Sequence, residues 1–440
     1  MRPRGLTEKL AALSQRAVRG MALGLDRVED ALSQLGNPQR DLAVVHIAGS
    51  NGKGSTSAMI ESIARAAGLR TGLTTSPHLS RFAERIRLDG EPLGDEAMER
   101  ALAAVLEGCR PDLTFFESLT IAAFHAFREA RVDLAVLEVG LGGRLDATNV
   151  VASPVATAIT SITLEHTVYL GETLDLIARE KAGILKRGAP VVLGPLDDEA
   201  DRAIAAVAAQ VGAGAIVRVT RGERAGVGTI AARWNGATST LTGPGDEAAI
   251  TVALGLEGPH QAENAGVALG LAQALRGRFA ALGGAGFHAH VERGLREARW
   301  PGRMERIERD GVTVILDCAH NPQGMRALRA TLDRLALDPE RTALVFGALA
   351  DKRWPEMLGA VSELAARRYY ATPKGRAPAA LEELQREAAG DAVGEPREAI
   401  ARAIAASRAG DTVLVTGSIY LVGEVRSALL GIEEDPVIAL

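Results

Sequence analysis

The stretch Gly49-Ser-Asn-Gly-Lys-Gly-Ser-Thr56 gathers three glycines, one lysine and three hydroxyls within eight residues. Glycine-rich backbone ahead of a helix turns N–H groups toward an anion, and the positive end of the helix dipole adds to them. Lys53 supplies a charge, and Ser55 or Thr56 a hydroxyl for Mg²⁺. The chemistry this predicts is phosphate binding. The usual phosphate-loop spacing would require a glycine at Ile47, whereas here only Ser50 and Asn51 separate Gly49 from Gly52, and Gly54 intervenes between Lys53 and Ser55. A glycine-rich β–α turn with a surface lysine is therefore an alternative reading of this stretch by itself.

Other reactive side chains stand at the ends of apolar runs. Glu138 closes Leu134–Val139, and a buried carboxylate needs a partner or a metal. His166 follows the run Val155–Ile162, where it is either a ligand or a structural histidine. Ser76-Pro77-His78 ends another strand-like run, and Arg81, Glu84, Arg85 and Arg87 after it read as a solvated face. Asp317 ends Val312–Leu316, with His320 three residues on. Glu117, near the start of a helical pattern, suits the dipole as well as it suits a site. Gly140-Leu-Gly-Gly143 lacks the dinucleotide spacing, and no helix signal follows it.

The elements that must hold these groups follow from periodicity. Leu42–Ile47 reads as a buried parallel strand and Ser57–Ala64 as a helix. Residues 6–35 read as helical, stopped by Gly36-Asn-Pro38. Thr114–Phe127 reads as a buried helix, and Thr173–Gly183 as a capped one carrying Lys181. Ala203–Val217 reads as a helix and then a strand, and 220–258 as short, antiparallel strands. After Trp300-Pro-Gly-Arg303 a second β/α series begins, each strand ending in a polar turn: Ala343–Phe346, Arg368–Ala371 and Asp411–Thr416. The expected fold is α/β, with a parallel sheet over 1–298 and a smaller doubly wound domain over 299–440.

The chain has 440 residues, too many for one ordinary domain, and a net charge of −5, so no basic surface announces nucleic acid. Cys109 and Cys318 lack metal spacing and suit a reducing cytoplasm as free thiols. Charge interrupts the apolar content of Met1–Leu10, and no run is long enough for a span. The expectation is a cytoplasmic protein that meets neither membrane nor nucleic acid.

With these stretches collected, the sequence resembles the folylpolyglutamate and dihydrofolate synthases of the Mur ligase family. The resemblance rests on Gly24-Leu-Asp-Arg27, Leu35-Gly-Asn-Pro38, His46–Ser55, Ser76-Pro-His78, Glu138–Asn149, Arg179–Ile184, His260-Gln-Ala-Glu-Asn264, Trp300–Arg303, Asp317–Pro322 and Thr416–Glu424. It covers nearly the whole chain, and the family's short phosphate loop accounts for the spacing at Gly49. It implies a Mur-type ATPase domain followed by a Rossmann-like glutamate-ligase domain. It also implies an ATP-dependent amide ligase that joins L-glutamate to dihydropteroate, to reduced folates, or to both through an acyl phosphate. By position, Asn51, Gly52, Lys53, Gly54, Ser55 and Thr56 would hold ATP, together with Asn264, Arg303 and Asp317. Ser55, Ser76 and Glu138 would ligate a first Mg²⁺, and His166 and a carbamylated Lys181 a second; a monovalent cation is a further candidate. Phe116, Glu117 and Asp146 fall in pterin-holding segments, and His320 and Ser418 would place the incoming glutamate. Lys53, Lys181 and His320 would then be the catalytic groups. The site would lie in an interdomain cleft, and the protein would act as a monomer.

Two positions depart from the family pattern. Ser50 stands where threonine is more frequent. Glu165-His166-Thr-Val-Tyr169 stands where Asp-His-Thr-Asp-Trp would be usual. Competing readings are an enzyme with only one of the two ligase activities, and a phosphate-loop binding module without ligase chemistry. A cell-wall Mur ligase is disfavoured, because its UDP-binding first domain has no room before residue 42.

Overall fold

The computed structural model describes residues 3–20, 24–109, 112–222, 226–243 and 248–436. Met1 and Arg2 of the basic start, and parts of the 6–35 and 220–258 readings, lie outside the described residues. The described residues form two compact units. The first holds the chain up to Pro77, Ala83–Gly255 and His260–Arg299; the second holds His78–Phe82, Leu256–Pro259 and the chain from Trp300.

In the first unit, eleven strands form one sheet. They are β1 Val44–Ala48, β2 Thr71–Thr74, β3 Ile86–Leu88, β4 Glu91–Pro92, β5 Leu134–Glu138, β6 Ala156–Ile159, β7 Val191–Leu193, β8 Ile216–Arg221, β9 Thr229–Trp234, β10 Ser239–Thr242 and β11 Ile250–Val252. The order is β11-β10-β9-β8-β7-β6-β1-β5-β2-β3-β4. Pairing is parallel from β9 through β2 and antiparallel at both ends. β1 lies between β5 and β6 and is buried along its whole length. That explains its unbroken apolar run, because a parallel strand covered on both faces has no polar side to show. Its C-terminal end carries the phosphate loop, flanked by Glu138 on β5 and the Thr160-Ser161 turn after β6. The ends of parallel strands at such a position are where open α/β sheets bind ligands.

The helix Lys53–Ala66 follows the loop and is buried over nearly its whole length, which explains its weakly amphipathic sequence. The helix Leu174–Ala182 is capped as expected: Thr173 accepts a hydrogen bond from the Leu176 amide, and Gly183 ends it. Helix Phe115–Glu129 has a full capping box from Thr114 and Glu117.

Two readings are corrected. Residues 6–35 are not one helix. A helix over Arg4–Gln15 passes into a 3₁₀ turn and stops at Gly20, which has φ +65°, and a second helix runs over Asp26–Gln34. Nor are Arg81–Arg87 a solvated face. They lead into the β3–β4 hairpin, and Arg85 is 2% exposed with its guanidinium 5.1 Å from the Phe115 ring centre.

The second unit contains a six-stranded sheet: β12 Glu305–Arg309, β13 Val312–Leu316, β14 Thr342–Phe346, β15 Arg367–Ala371, β16 Asp391–Gly394 and β17 Thr412–Thr416. The order is β12-β13-β17-β14-β15-β16, parallel apart from the β12–β13 hairpin. Apolar clusters fill both faces, one around Phe346, Met357 and Leu414 and one around Val314, Val345 and Val413.

Candidate active site

The phosphate loop is tied down from its β6 side. The Ser50 amide donates to the Ser161 carbonyl at 2.8 Å, and the Asn51 amide to the Ser161 hydroxyl at 2.9 Å. The Thr160 and Ser161 hydroxyls return bonds to the Asn51 carbonyl at 2.7 and 3.0 Å. The Ser50 hydroxyl accepts from the Thr163 amide at 3.0 Å. Two glycines are needed on steric grounds. Gly52 has φ +87° as the helix N-cap, and a Cβ there would stand 2.4 Å from Asn264 Oδ1. A Cβ on Gly49 would stand 2.0 Å from the Thr160 hydroxyl. The amides of the first helical turn cannot be satisfied within the helix, which leaves them able to serve an external anion.

Lys53 folds back over this loop. Its Nζ donates to the carbonyls of Gly49 at 2.8 Å and Ser50 at 3.1 Å. Ser55 is 4% exposed and accepts from Gln261 Nε2 at 3.4 Å, and Gln261 in turn accepts from Asn264 at 2.9 Å. Helix Pro259–Leu275 thereby delivers Gln261 and Asn264 to the loop. Gln261, which composition alone does not single out, lies three residues before Asn264, one helical turn away. Thr56 is fully buried and its amide donates to the Gly52 carbonyl at 2.9 Å, so the amides left over for an anion are those before it.

Lys181 lies 3% exposed at the same loop. Its Nζ donates to the Gly49 carbonyl at 3.0 Å, the oxygen that Lys53 also uses, and to Glu165 at 3.3 Å. Burial, reinforced by the Lys53 charge, lowers its pKa to about 8. Glu165 is moved the other way by burial, but Lys181, Lys53 and His166 outweigh that and hold it at about 2. Glu165, read from the sequence only as a departure, is thus the counter-ion of the buried lysine. Glu138 is 6% exposed and accepts from the Ser76 amide at 3.3 Å. His166 is exposed, in left-handed conformation at the start of the short helix Thr167–Leu170.

Among the described residues, no three His, Cys, Asp or Glu side chains converge on a point. One carboxylate with hydroxyl oxygens is nevertheless the donor set that suits Mg²⁺ held partly by substrate phosphates, so Ser55, Ser76 and Glu138 fit such an ion. Lys181 as an ammonium does not fit a cation; it fits one only after conversion to an anionic oxygen donor.

Of the residues that the resemblance assigns to the acceptor, Glu117 is buried with both oxygens engaged, one by the Thr114 amide at 2.7 Å and one by Arg27 at 2.8 Å. Phe116 is half-buried against Gly140. Asp146 is buried and accepts from the amides of Gly140, Leu141 and Thr148 at 3.0, 2.9 and 3.0 Å and from the Thr148 hydroxyl at 2.6 Å. Burial raises its pKa against the pull of those donors.

In the second unit, Asp317 receives the amides of Met304 at 3.0 Å and Ala319 at 2.9 Å; burial raises its pKa and the charge of Arg303 opposes the rise. His320 is half-buried, its Nδ1 2.9 Å from the Cys318 carbonyl. Ser418, 2% exposed, caps the helix Ile419–Leu430 by accepting from the Tyr420 amide at 3.2 Å. Asp317 and Ser418 follow the neighbouring strands β13 and β17, so the sheet sets them side by side.

Two family profiles match, the Mur ligase middle domain over residues 47–272 and the Mur ligase glutamate ligase domain over 302–419. The chain is 35% identical to folylpolyglutamate synthase of Lacticaseibacillus casei over 92% of this chain and 94% of that protein. It is 34% identical to dihydrofolate synthase/folylpolyglutamate synthase of Escherichia coli, over 92% and 91%. It spans about half (48%) of a Haloferax volcanii relative named a probable bifunctional folylpolyglutamate synthase/dihydropteroate synthase, at 37% identity over 92% of this chain. The structure of E. coli FolC in complex with DHPP and ADP superposes with a TM-score of 0.83 at 32% identity, covering 98% of this chain and 99% of that one. Mycobacterium tuberculosis folylpolyglutamate synthase complexed with ADP gives 0.83 at 30% identity, covering 98% and 100%. The chain belongs to the Mur ligase family, in the group of the folylpolyglutamate and dihydrofolate synthases.

Proposed function

We propose that this protein is an ATP-dependent amide ligase that joins L-glutamate to dihydropteroate and to reduced folates. The observation that carries the reading is the pair of lysines, Lys53 and Lys181, sharing the Gly49 carbonyl of a pinned phosphate loop. A nucleotide-binding module needs the first lysine but has no use for a second one buried beside it.

A carboxylate is a poor electrophile at neutral pH, so ATP first phosphorylates it. The glutamate amine attacks the acyl phosphate, and the tetrahedral species collapses to amide and phosphate. The chain's part is to hold three charged partners in line and screen their repulsion. The loop amides from Gly52 to Ser55 and the Lys53 ammonium hold the ATP phosphates, with Asn51 and Thr56 framing them, and Asn264, Arg303 and Asp317 contact the nucleotide. Ser55, Ser76 and Glu138 hold one Mg²⁺, and His166 and carbamylated Lys181 hold the second; a monovalent cation adds to them. Bound there, the metals supply charge neutralisation at the phosphates. Phe116 and the Glu117 and Asp146 segments take the pterin, and His320 and Ser418 place the glutamate. The protein works as a monomer in the cytoplasm.

A panel of acceptors tests the reading: dihydropteroate, tetrahydrofolate and its glutamylated forms, each with ATP and L-glutamate, with the products weighed by mass spectrometry. Glutamylated products from both acceptor types are expected. Product from only one leaves a ligase with a single activity, and product from none refutes the reading.

A further inference from the structure

We propose that His46 is a positioning residue for the acceptor side of this site: through the Thr148 hydroxyl it fixes Asp146, and with it the Gly140–Asn149 loop. The inference rests on the ligase reading above and assigns a residue that the reaction itself does not use.

His46 is fully buried in the middle of β1, hydrogen-bonded in the sheet on both sides. Its Nε2 lies 2.8 Å from the Thr148 hydroxyl. That hydroxyl donates its single proton to Asp146 Oδ1 at 2.6 Å. Asp146 cannot donate in return, because its oxygens already accept the amides of Gly140, Leu141 and Thr148. The Thr148 oxygen must therefore accept from His46, which fixes the imidazole as the Nε2–H tautomer. Burial, with the Lys186 charge adding to it, lowers the His46 pKa to about 3, so the ring stays neutral at working pH.

The direction of control follows from rigidity. β1 is a central strand held by two neighbours, whereas 140–149 contains only a 3₁₀ turn, Ala147–Val150. Arg144 and Asn149 tie one side of this loop to the Glu180 and Gly183 carbonyls of the neighbouring helix; on the side facing β1 it is held by one carboxylate with four donors around it, which His46 joins to the sheet. The loop begins two residues beyond Glu138, and Phe116 rests on Gly140. Loss of the His46 donor therefore loosens the groups assigned to the acceptor, while the phosphate loop keeps its separate ties to Ser161 and Thr163.

The test compares His46→Leu, which removes the donor, with His46→Gln, whose amide keeps an N–H within reach, and with Thr148→Val, which cuts the same link from its other end. In the ligase assay, His46→Leu raises the KM for dihydropteroate about tenfold, as the loss of one hydrogen bond of this kind implies. The KM for ATP stays within about twofold, and His46→Gln restores most of the acceptor KM. The Leu/Val double variant is no worse than Thr148→Val alone, because that change already removes the His46 link together with the hydroxyl bond to Asp146. Nitrogen NMR of the wild-type imidazole shows a neutral Nε2–H tautomer. Equal rises in both KM values, no rescue by glutamine, multiplying effects in the double variant or an Nδ1–H tautomer each overturn the inference. A wild type that forms no amide overturns the ligase reading as well, whereas an active wild type with an unshifted acceptor KM in His46→Leu overturns this inference alone.

Discussion

Lys181 is the residue whose state decides most. Buried beside Lys53, it gives up its proton at about 8 rather than at the 10.5 of a free lysine. A neutral amine is what adds carbon dioxide, so at a fixed concentration of dissolved carbon dioxide, enzyme first stripped of it should regain activity faster as pH rises from 6 toward about 8, and level off above it. A reactivation rate independent of pH over that window would show that Lys181 is not modified in this way. The linkage sign follows from the same shift. Between about 8 and 10.5 the unfolded chain keeps a proton that the folded one has lost, so this group makes stability rise with pH across that window. Lys181→Ala should lower kcat by roughly a hundredfold or more, with partial rescue by short carboxylates that supply the missing oxygen ligand. Full activity in that variant would contradict the assignment. Glu138 stood out in the sequence, because a glutamate inside an apolar run conflicts with burial unless it has a task, whereas Lys181 by itself reads as a helix-end cation and stood out only through the family resemblance. What Lys181 pairs with was not legible: Glu165 lies 16 residues away, and only the fold brings the two within 3.3 Å.

At the scale of the elements, the site depends on turns at strand ends. Gly52→Ala places a Cβ 2.4 Å from Asn264 Oδ1 at a backbone φ of +87°. The left-handed conformation alone costs about 1–2 kcal/mol for a residue with a side chain. ATP affinity, measured by calorimetry, should fall at least about tenfold, with the overall fold retained by circular dichroism. Asp146→Asn replaces an acceptor of four bonds by a group half of which is a donor, and should destabilise by roughly 2–3 kcal/mol in urea unfolding. Strand and helix positions here followed from periodicity. β1, β5 and the helix Leu174–Ala182 lie where apolar runs and caps put them. The β3–β4 hairpin did not show, because the arginines leading into it looked like surface charge, and Arg85 is buried against Phe115 from a distant segment. The 6–35 pattern hid a break at Gly20, since leucines on either side keep a helical spacing that tertiary contacts do not use as one rod.

At the scale of the whole molecule, each of the two units has its own sheet and its own apolar core. Calorimetric unfolding should therefore depart from a single two-state transition, with a calorimetric enthalpy above the van't Hoff value. A single two-state peak would show that the units melt as one. The β/α repetition on either side of Trp300 is what led the sequence reading to place a boundary there. The assignment of His78–Phe82 and Leu256–Pro259 to the second unit was not visible, because short excursions leave no periodicity of their own.

The central claim is that ATP is spent on activating a carboxylate. Dihydropteroate carrying heavy oxygen in its carboxylate tests this directly, when the inorganic phosphate released during turnover with ATP and L-glutamate is analysed by mass spectrometry. The account predicts one heavy oxygen atom in each phosphate, with one glutamyl residue gained by each acceptor. Unlabelled phosphate, or phosphate released without amide, would contradict it.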